Sequence, residues 1–248
     1  MAAPSICPAC EATGARHFIT HRGMELLECG SCRLVFMAEM PSGAVLEATY
    51  IEPDECGLAL VHAKAASKMR QLRRRARALA RHAPRHAQGR GRFLDVGANA
   101  GFMTEAMREL GFEAHGVEPH PPSVAYAREH YPKNSYHPTF MEAFEPGGLT
   151  FAAVYCSEVI EHSPDINAFI IAIRRVMEPG AVLYLTTPDI GHWRRPRDVT
   201  SWDGFKPPSH CVYFNPGALV RFLERHGFRI LRRRLAFKPG IKLIAARG

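Results

Sequence analysis

A chain of 248 residues, 46% of them hydrophobic, is long enough for one full α/β domain and a small appendage. No apolar run approaches the ~20 residues of a membrane helix, and the opening M-A-A-P-S-I-C has no basic-then-apolar leader pattern, so a cytoplasmic protein without a membrane partner is expected. The net charge of +8 comes largely from 26 arginines, beside six lysines, and permits phosphorylated, nucleotide-linked or RNA partners without singling one out.

In a reducing compartment seven cysteines are metal ligands or lone thiols rather than disulfides. Cys7 and Cys10 form C-P-A-C, Cys29 and Cys32 form C-G-S-C, and eighteen residues separate the two knuckles. That spacing fits a four-thiolate zinc ribbon, predicted over residues 1–50. A segment of about 40 residues buries too little apolar surface to fold alone, so zinc would supply its folding energy. Four thiolates leave no open coordination position, which makes the zinc structural. Partner docking and the shaping of a substrate pocket both stay open as further roles of the ribbon.

Residues 51–90 are predicted as a helical linker, from the spacing of Leu60, Val61, Met69, Leu72 and Leu79. The run R-R-R-A-R at 73–77 has no interleaved aromatics on which bases would stack, so it reads as a solvated helix and nucleic acid as a disfavoured partner. Pro84 to Gly91 is the expected hinge into a main domain over 91–248. There the fold class is α/β, a Rossmann-like doubly wound sheet of seven strands. The strands are placed at 92–97, 113–118, 135–139, 151–156, 181–187, 229–237 and 241–247, and the helices at 102–111, 121–131, 165–177 and 215–227. The last two strands, split by K-P-G at 238–240, form an antiparallel hairpin.

Arg92 to Phe102, R-F-L-D-V-G-A-N-A-G-F, is the stretch the domain is built on: a buried strand, a tight turn and a helix start. Gly97 and Gly101 allow backbone N–H groups close to a ligand. Glu118 ends the next strand 21 positions after Gly97, where a carboxylate reaches ribose hydroxyls.

The D-V-G-x-x-x-G form resembles the first motif of class I S-adenosylmethionine-dependent methyltransferases, with Ala98 and Asn99 in place of its Cys and middle Gly. Four more stretches match in order: G-V-E-P at 116–119, F-A-A-V-Y-C-S-E-V-I-E-H at 151–162, M-E-P-G-A-V-L-Y-L-T-T-P at 177–188 and P-P-S-H-C-V-Y-F-N-P-G-A-L at 207–219. Ala152 replaces the usual Asp of the second of these. The ribbon, with a Pro-Ser exit and Tyr50 after it, is similar to one attached to many bacterial members. The resemblance implies a cofactor pocket for S-adenosylmethionine made by Asp95, Gly97, Asn99, Gly101, Glu118, Phe140 and Met141.

Glu158, Glu161 and His162 stand at i, i+3 and i+4, placing them on one face of a helical turn at the edge where open α/β sheets bind ligands. His210 lies in the long loop 188–213, expected over the same edge. Two carboxylates and two imidazoles suit a second divalent metal, Mg2+ or Mn2+. The E-V-I-E-H plus later His pattern resembles metal-using ubiquinone-pathway and small-RNA O-methyltransferases. Equally, Ser163, Pro164 and Asp165 read as N-cap, N1 and N2 of the next helix, leaving His210 or His162 as a plain base with Glu161 beside it. Trp193, Trp202, Phe205, Tyr213 and Phe214 are assigned either to the acceptor pocket or to loop packing.

The expectation is therefore an enzyme methylating a hydroxyl of a small molecule or sugar, in natural-product or polysaccharide biosynthesis. Rival readings are carbon methylation of a nucleotide-linked sugar, RNA 2′-O-methylation and a non-catalytic ribbon adaptor. The acceptor and the oligomeric state stay open.

Overall fold

The computed structural model describes residues 6–42, 55–86 and 89–248, and within 55–66 only the course of a helix. Tyr50 lies outside the described residues. Three strands open the chain, β1 (Arg16–His21), β2 (Met24–Glu28) and β3 (Val35–Met37). Helix α1 (Glu55–Ala80) follows, then β4 (Arg92–Val96), α2 (Phe102–Arg108), β5 (Glu113–Val117), α3 (Pro121–His130) and β6 (Ser135–His137). Next come β7 (Phe151–Ser157), a 3-10 turn at Ile160–His162, α4 (Ile166–Val176) and β8 (Met177–Thr187). The chain closes with β9 (Val212–Tyr213), α5 (Pro216–Arg225), β10 (Phe228–Arg234) and β11 (Ile241–Arg247).

The main sheet has seven strands in the order β10-β11-β8-β7-β4-β5-β6. β4 pairs in parallel with β5 and β7, and β8 with β7, whereas β11 runs antiparallel to both β8 and β10. Phe93, Leu94 and Val96 of β4 are buried, because a central parallel strand is covered by helices on both faces. The predicted α/β sheet with its antiparallel closing hairpin is what the chain forms.

Local differences have local causes. β8 begins at Met177, where Phe151↔Met177 pairing precedes a register shift, so it is longer than the expected 181–187. The N-cap of α4 is Asp165, whose Oδ1 accepts from the backbone N–H groups of Asn167 and Ala168, each at 3.0 Å. Ser163, expected as that cap, donates its hydroxyl to Glu142 instead, at 3.0 Å.

Helix α1 also departs from a solvated linker. Its face of Met69, Leu72, Ala76 and Leu79 is buried in the same apolar cluster as Phe93, Phe102 and Met107. In the arginine run, Arg73 makes a two-pronged pair with Glu109 of 2.7 and 2.6 Å, and Arg75 donates to the Tyr155 hydroxyl at 2.8 Å. Arg74 and Arg77 do face solvent.

The N-terminal strands form a sheet of order β1-β2-β3-β9, so its fourth strand comes from the main domain. Val35↔Tyr213 and Phe36↔Val212 are the paired positions. Among the described residues no helix is long and apolar enough to cross a membrane.

Candidate functional site

The first site grows out of the turn after β4. Gly97 has φ 71° and Gly101 φ 77°, backbone that side-chain-bearing residues rarely adopt. A Cβ on Gly97 would stand 2.5 Å from Val159 Cγ2, and one on Gly101 2.5 Å from the Tyr136 hydroxyl. With both glycines the turn folds tightly enough for the Gly97 and Ala98 N–H groups to donate to the Val117 carbonyl at 2.9 and 3.1 Å. Asn99, in the middle of the turn, donates its backbone N–H to Glu118 Oε2 at 2.8 Å.

A cavity of about 690 Å³ opens over this turn, walled by Asp95, Gly97, Asn99, Glu118, Phe140 and Met141 among others. Six of the seven predicted cofactor residues therefore meet at one cavity. Gly101 is not on its wall and serves the turn and the start of α2. Asp95 accepts from the Thr104 hydroxyl at 2.9 Å, and burial pushes its carboxyl up to about 7. Burial also raises Glu118, while N–H groups of His120 and Asn99 oppose it. Sequence reading missed Thr104, which stands nine residues after Asp95 and meets it only because α2 folds back over β4. It also missed Lys68 and Arg75 of α1, which join the cavity wall from what reads as a linker.

The second site joins the end of β7 to the loop before β9. Glu161, His162 and His210 each offer a ligand atom within 4.8 Å of the others. Glu161 is fully buried; Oε2 accepts from the Thr187 hydroxyl at 2.9 Å, and Oε1 has no hydrogen-bond partner. Burial, and then the neighbouring Glu158, push its carboxyl up to about 8. His162 Nδ1 lies 2.8 Å from the Ser209 carbonyl and His210 Nδ1 2.9 Å from the Gly204 carbonyl. A carbonyl only accepts, so both rings carry their proton on Nδ1 and present Nε2 as the acceptor nitrogen. Burial lowers both imidazoles, His210 to about 4. His162 is on the cavity wall, whereas Glu161 and His210 are not.

Glu158 does not share this cluster. It has φ 58° and precedes the 3-10 turn rather than belonging to it, so the i, i+3, i+4 alignment fails. Its carboxylate accepts from Thr186 at 2.6 Å, while it remains on the cavity wall. Of the aromatic residues assigned to the acceptor pocket or to loop packing, Tyr213 stands with its ring 6.0 Å from that of His210. Trp202, Phe205 and Tyr213 pack against Leu26, Val35 and Met37 of the ribbon, Phe214 joins the main core, and Trp193 is 80% exposed.

The third site is the four-cysteine cluster, with sulfurs all within 4.8 Å of one another. Cys7 and Cys32 Sγ are 3.5 Å apart, and Cys10 and Cys29 Sγ 3.6 Å. Tetrahedral zinc with ~2.3 Å bonds sets sulfurs about 3.8 Å apart, so the donor set fits zinc. Cys29 Sγ accepts from the N–H groups of Ser31 and Cys32, each at 3.4 Å, which suits a thiolate.

A family model described as a methyltransferase domain, Methyltransf_23, matches residues 65–233. The ubiquinone biosynthesis O-methyltransferase of Methylocella silvestris is 33% identical over 111 residues, 43% of this chain and 43% of that protein. The enzyme of the same name from Xanthomonas campestris pv. campestris is 36% identical over 103 residues, 39% of this chain and 42% of that protein. The chain thus spans less than half the length of these relatives. Among solved structures, the 1,6-didemethyltoxoflavin-N1-methyltransferase of Burkholderia thailandensis, bound to 1,6-didemethyltoxoflavin and S-adenosylhomocysteine, aligns with TM-score 0.62 at 15% identity, over 94% of this chain and 99% of that one. That likeness is one of fold. With a family match running from α1 to β10 and a seven-stranded sheet closed by an antiparallel hairpin, the chain belongs to the methyltransferase-domain family and has the fold of S-adenosylmethionine-dependent methyltransferases.

Proposed function

We propose that the chain is an S-adenosylmethionine-dependent O-methyltransferase acting on a hydroxyl of a small molecule or sugar, with a divalent cation, Mg2+ or Mn2+, held by Glu161, His162 and His210. The observation that carries the cation is Glu161, a fully buried carboxyl with one oxygen lacking a partner and with two imidazole nitrogens within 4.8 Å of the carboxylate. Both imidazoles give their Nδ1–H to a backbone carbonyl, the arrangement that orients histidine ligands in metal sites. That the relatives are O-methyltransferases supports O-methylation.

In this reading residues 1–50 form the ribbon, with Cys7, Cys10, Cys29 and Cys32 holding structural zinc, 51–90 lead into the core, and 91–248 form the methyltransferase domain. Asp95, Asn99 and Glu118 hold the amino-acid and ribose ends of the cofactor, Gly97 and Gly101 shape the turn beneath it, and Phe140 and Met141 flank the adenine. The carboxylates of Asp95 and Glu118 also suit a ligand whose sulfonium is positively charged. A divalent cation supplies Lewis acidity, which lowers the pKa of an acceptor hydroxyl. With its Nδ1–H on the Ser209 carbonyl and Nε2 given to the cation, His162 would align the acceptor from the cavity wall, and the proton of the acidified hydroxyl would leave to solvent.

Transfer of labelled methyl from S-adenosylmethionine to catechols, vicinal diols and single hydroxyls tests this, run with and without Mn2+. Vicinal oxygens should be methylated only with Mn2+, and Glu161→Gln should lower kcat about 100-fold with unchanged cofactor affinity. Equal transfer to single hydroxyls without added cation would replace the cation by His162 as a plain base.

A further inference from the structure

The geometry points to the ribbon as the positioning element of the acceptor site, fixing His210 and, through its neighbours Cys211 and Ser209, Glu161 and His162, by way of β9 and Asn215. This rests on the cluster reading above. The ribbon is joined to the main domain by main chain as well as by side chains. β3 pairs with β9, two residues beyond His210, and the Met37 N–H donates to the Cys211 carbonyl at 3.0 Å. Cys211 in turn donates its own N–H to the Glu161 carbonyl at 2.7 Å. A single residue therefore links the ribbon sheet to the 3-10 turn that carries Glu161 and His162.

The partners that orient the two imidazoles, Ser209 and Gly204, lie in the same loop. Gly204 stands between Trp202 and Phe205, which pack on the ribbon's Leu26, Val35 and Met37. Asn215 completes the joint: Oδ1 caps α5 by accepting from Ala218 N–H at 2.9 Å, while Nδ2 donates to the Cys32 carbonyl at 2.9 Å and the Arg33 carbonyl at 3.1 Å. Asn215 thus ties the second cysteine knuckle to the segment that carries His210. No residue of 6–42 is on the cofactor cavity wall, so the ribbon should act on the acceptor side alone.

The test uses full-length, zinc-loaded protein with 15N-labelled histidine, saturated with S-adenosylhomocysteine. Long-range 1H–15N spectra read each imidazole tautomer, with His210 assigned by comparison with His210→Gln. Asn215→Ser keeps an oxygen to cap α5 but has no N–H2 for the Cys32 and Arg33 carbonyls. In this variant the Nδ1–H signature of His210 should be lost or exchange-broadened, and Mn2+ affinity should fall about tenfold, with S-adenosylhomocysteine affinity unchanged. Zinc-stripped protein should show the same split. An unmoved His210 spectrum in Asn215→Ser overturns the proposal, and so does a loss of S-adenosylhomocysteine binding in parallel with Mn2+. If wild-type protein binds no Mn2+, the cation reading fails, and the His210 spectrum alone judges the ribbon.

Discussion

Glu161 is an acid held in the core with Oε2 on the Thr187 hydroxyl, Oε1 without a hydrogen-bond partner, and the ligand nitrogens of two imidazoles within 4.8 Å of its carboxylate. Raised from 4.5 to about 8, it binds its proton more tightly in the folded state than in the unfolded one. Its contribution to stability is therefore complete below about pH 4.5 and is lost as pH rises through about 8. Asp95, raised from 3.8 to about 7, adds a loss in the same direction that ends lower. In zinc-loaded protein free of other cations, thermal melts should fall from pH 5 to pH 8.5. Glu161→Gln should flatten the part between about pH 7 and 8, and Mn2+ should raise the wild-type melting temperature most at the alkaline end. Thr104→Val removes the hydroxyl on Asp95 and should weaken S-adenosylhomocysteine binding by about 1 kcal/mol, read by calorimetry; unchanged affinity would place Asp95 outside the binding determinants.

The elements were legible wherever a strong period met a turn signal. R-F-L-D-V-G and the E-V-I-E-H stretch announce strand ends, and the residues that follow them lie where the sheet's carboxyl edge requires. Side-chain alignment at the second of these was not legible, because the i, i+3, i+4 count assumes helix and Glu158 takes left-handed backbone just before the turn. The cap of α4 misled for a related reason. Ser-Pro-Asp offers two capping residues, and tertiary contact decides between them, Ser163 going to Glu142 and Asp165 to the helix. Asp165→Ala should cost about 1 kcal/mol in urea unfolding and Ser163→Ala clearly less; the reverse order would restore Ser163 as the cap. The burial of one face of α1 is carried by Met69, Leu72 and Leu79, residues visible in the sequence, but nothing local indicates that Arg75 reaches the sheet.

Across the molecule, one apolar cluster runs from Cys7, Cys29 and Leu34 in the ribbon to Phe214, Leu219 and Phe222 of the α5 region and on to the sheet. Two cysteine knuckles could be read in sequence as a separate metal unit. The borrowed strand β9, only two residues long, leaves no periodic trace that would reveal the merger. Because the cores are shared, Cys29→Ser should lower the melting temperature of the entire chain in a single transition. A ribbon that melts separately ahead of an unaltered main domain would contradict that continuity. The most direct measurement is a calorimetric titration of Mn2+ into zinc-loaded protein saturated with S-adenosylhomocysteine, beside Glu161→Ala and His210→Ala. Saturable binding in wild type, lost in both variants, is the predicted result. No binding, or binding that survives both substitutions, would contradict a divalent cation at Glu161, His162 and His210.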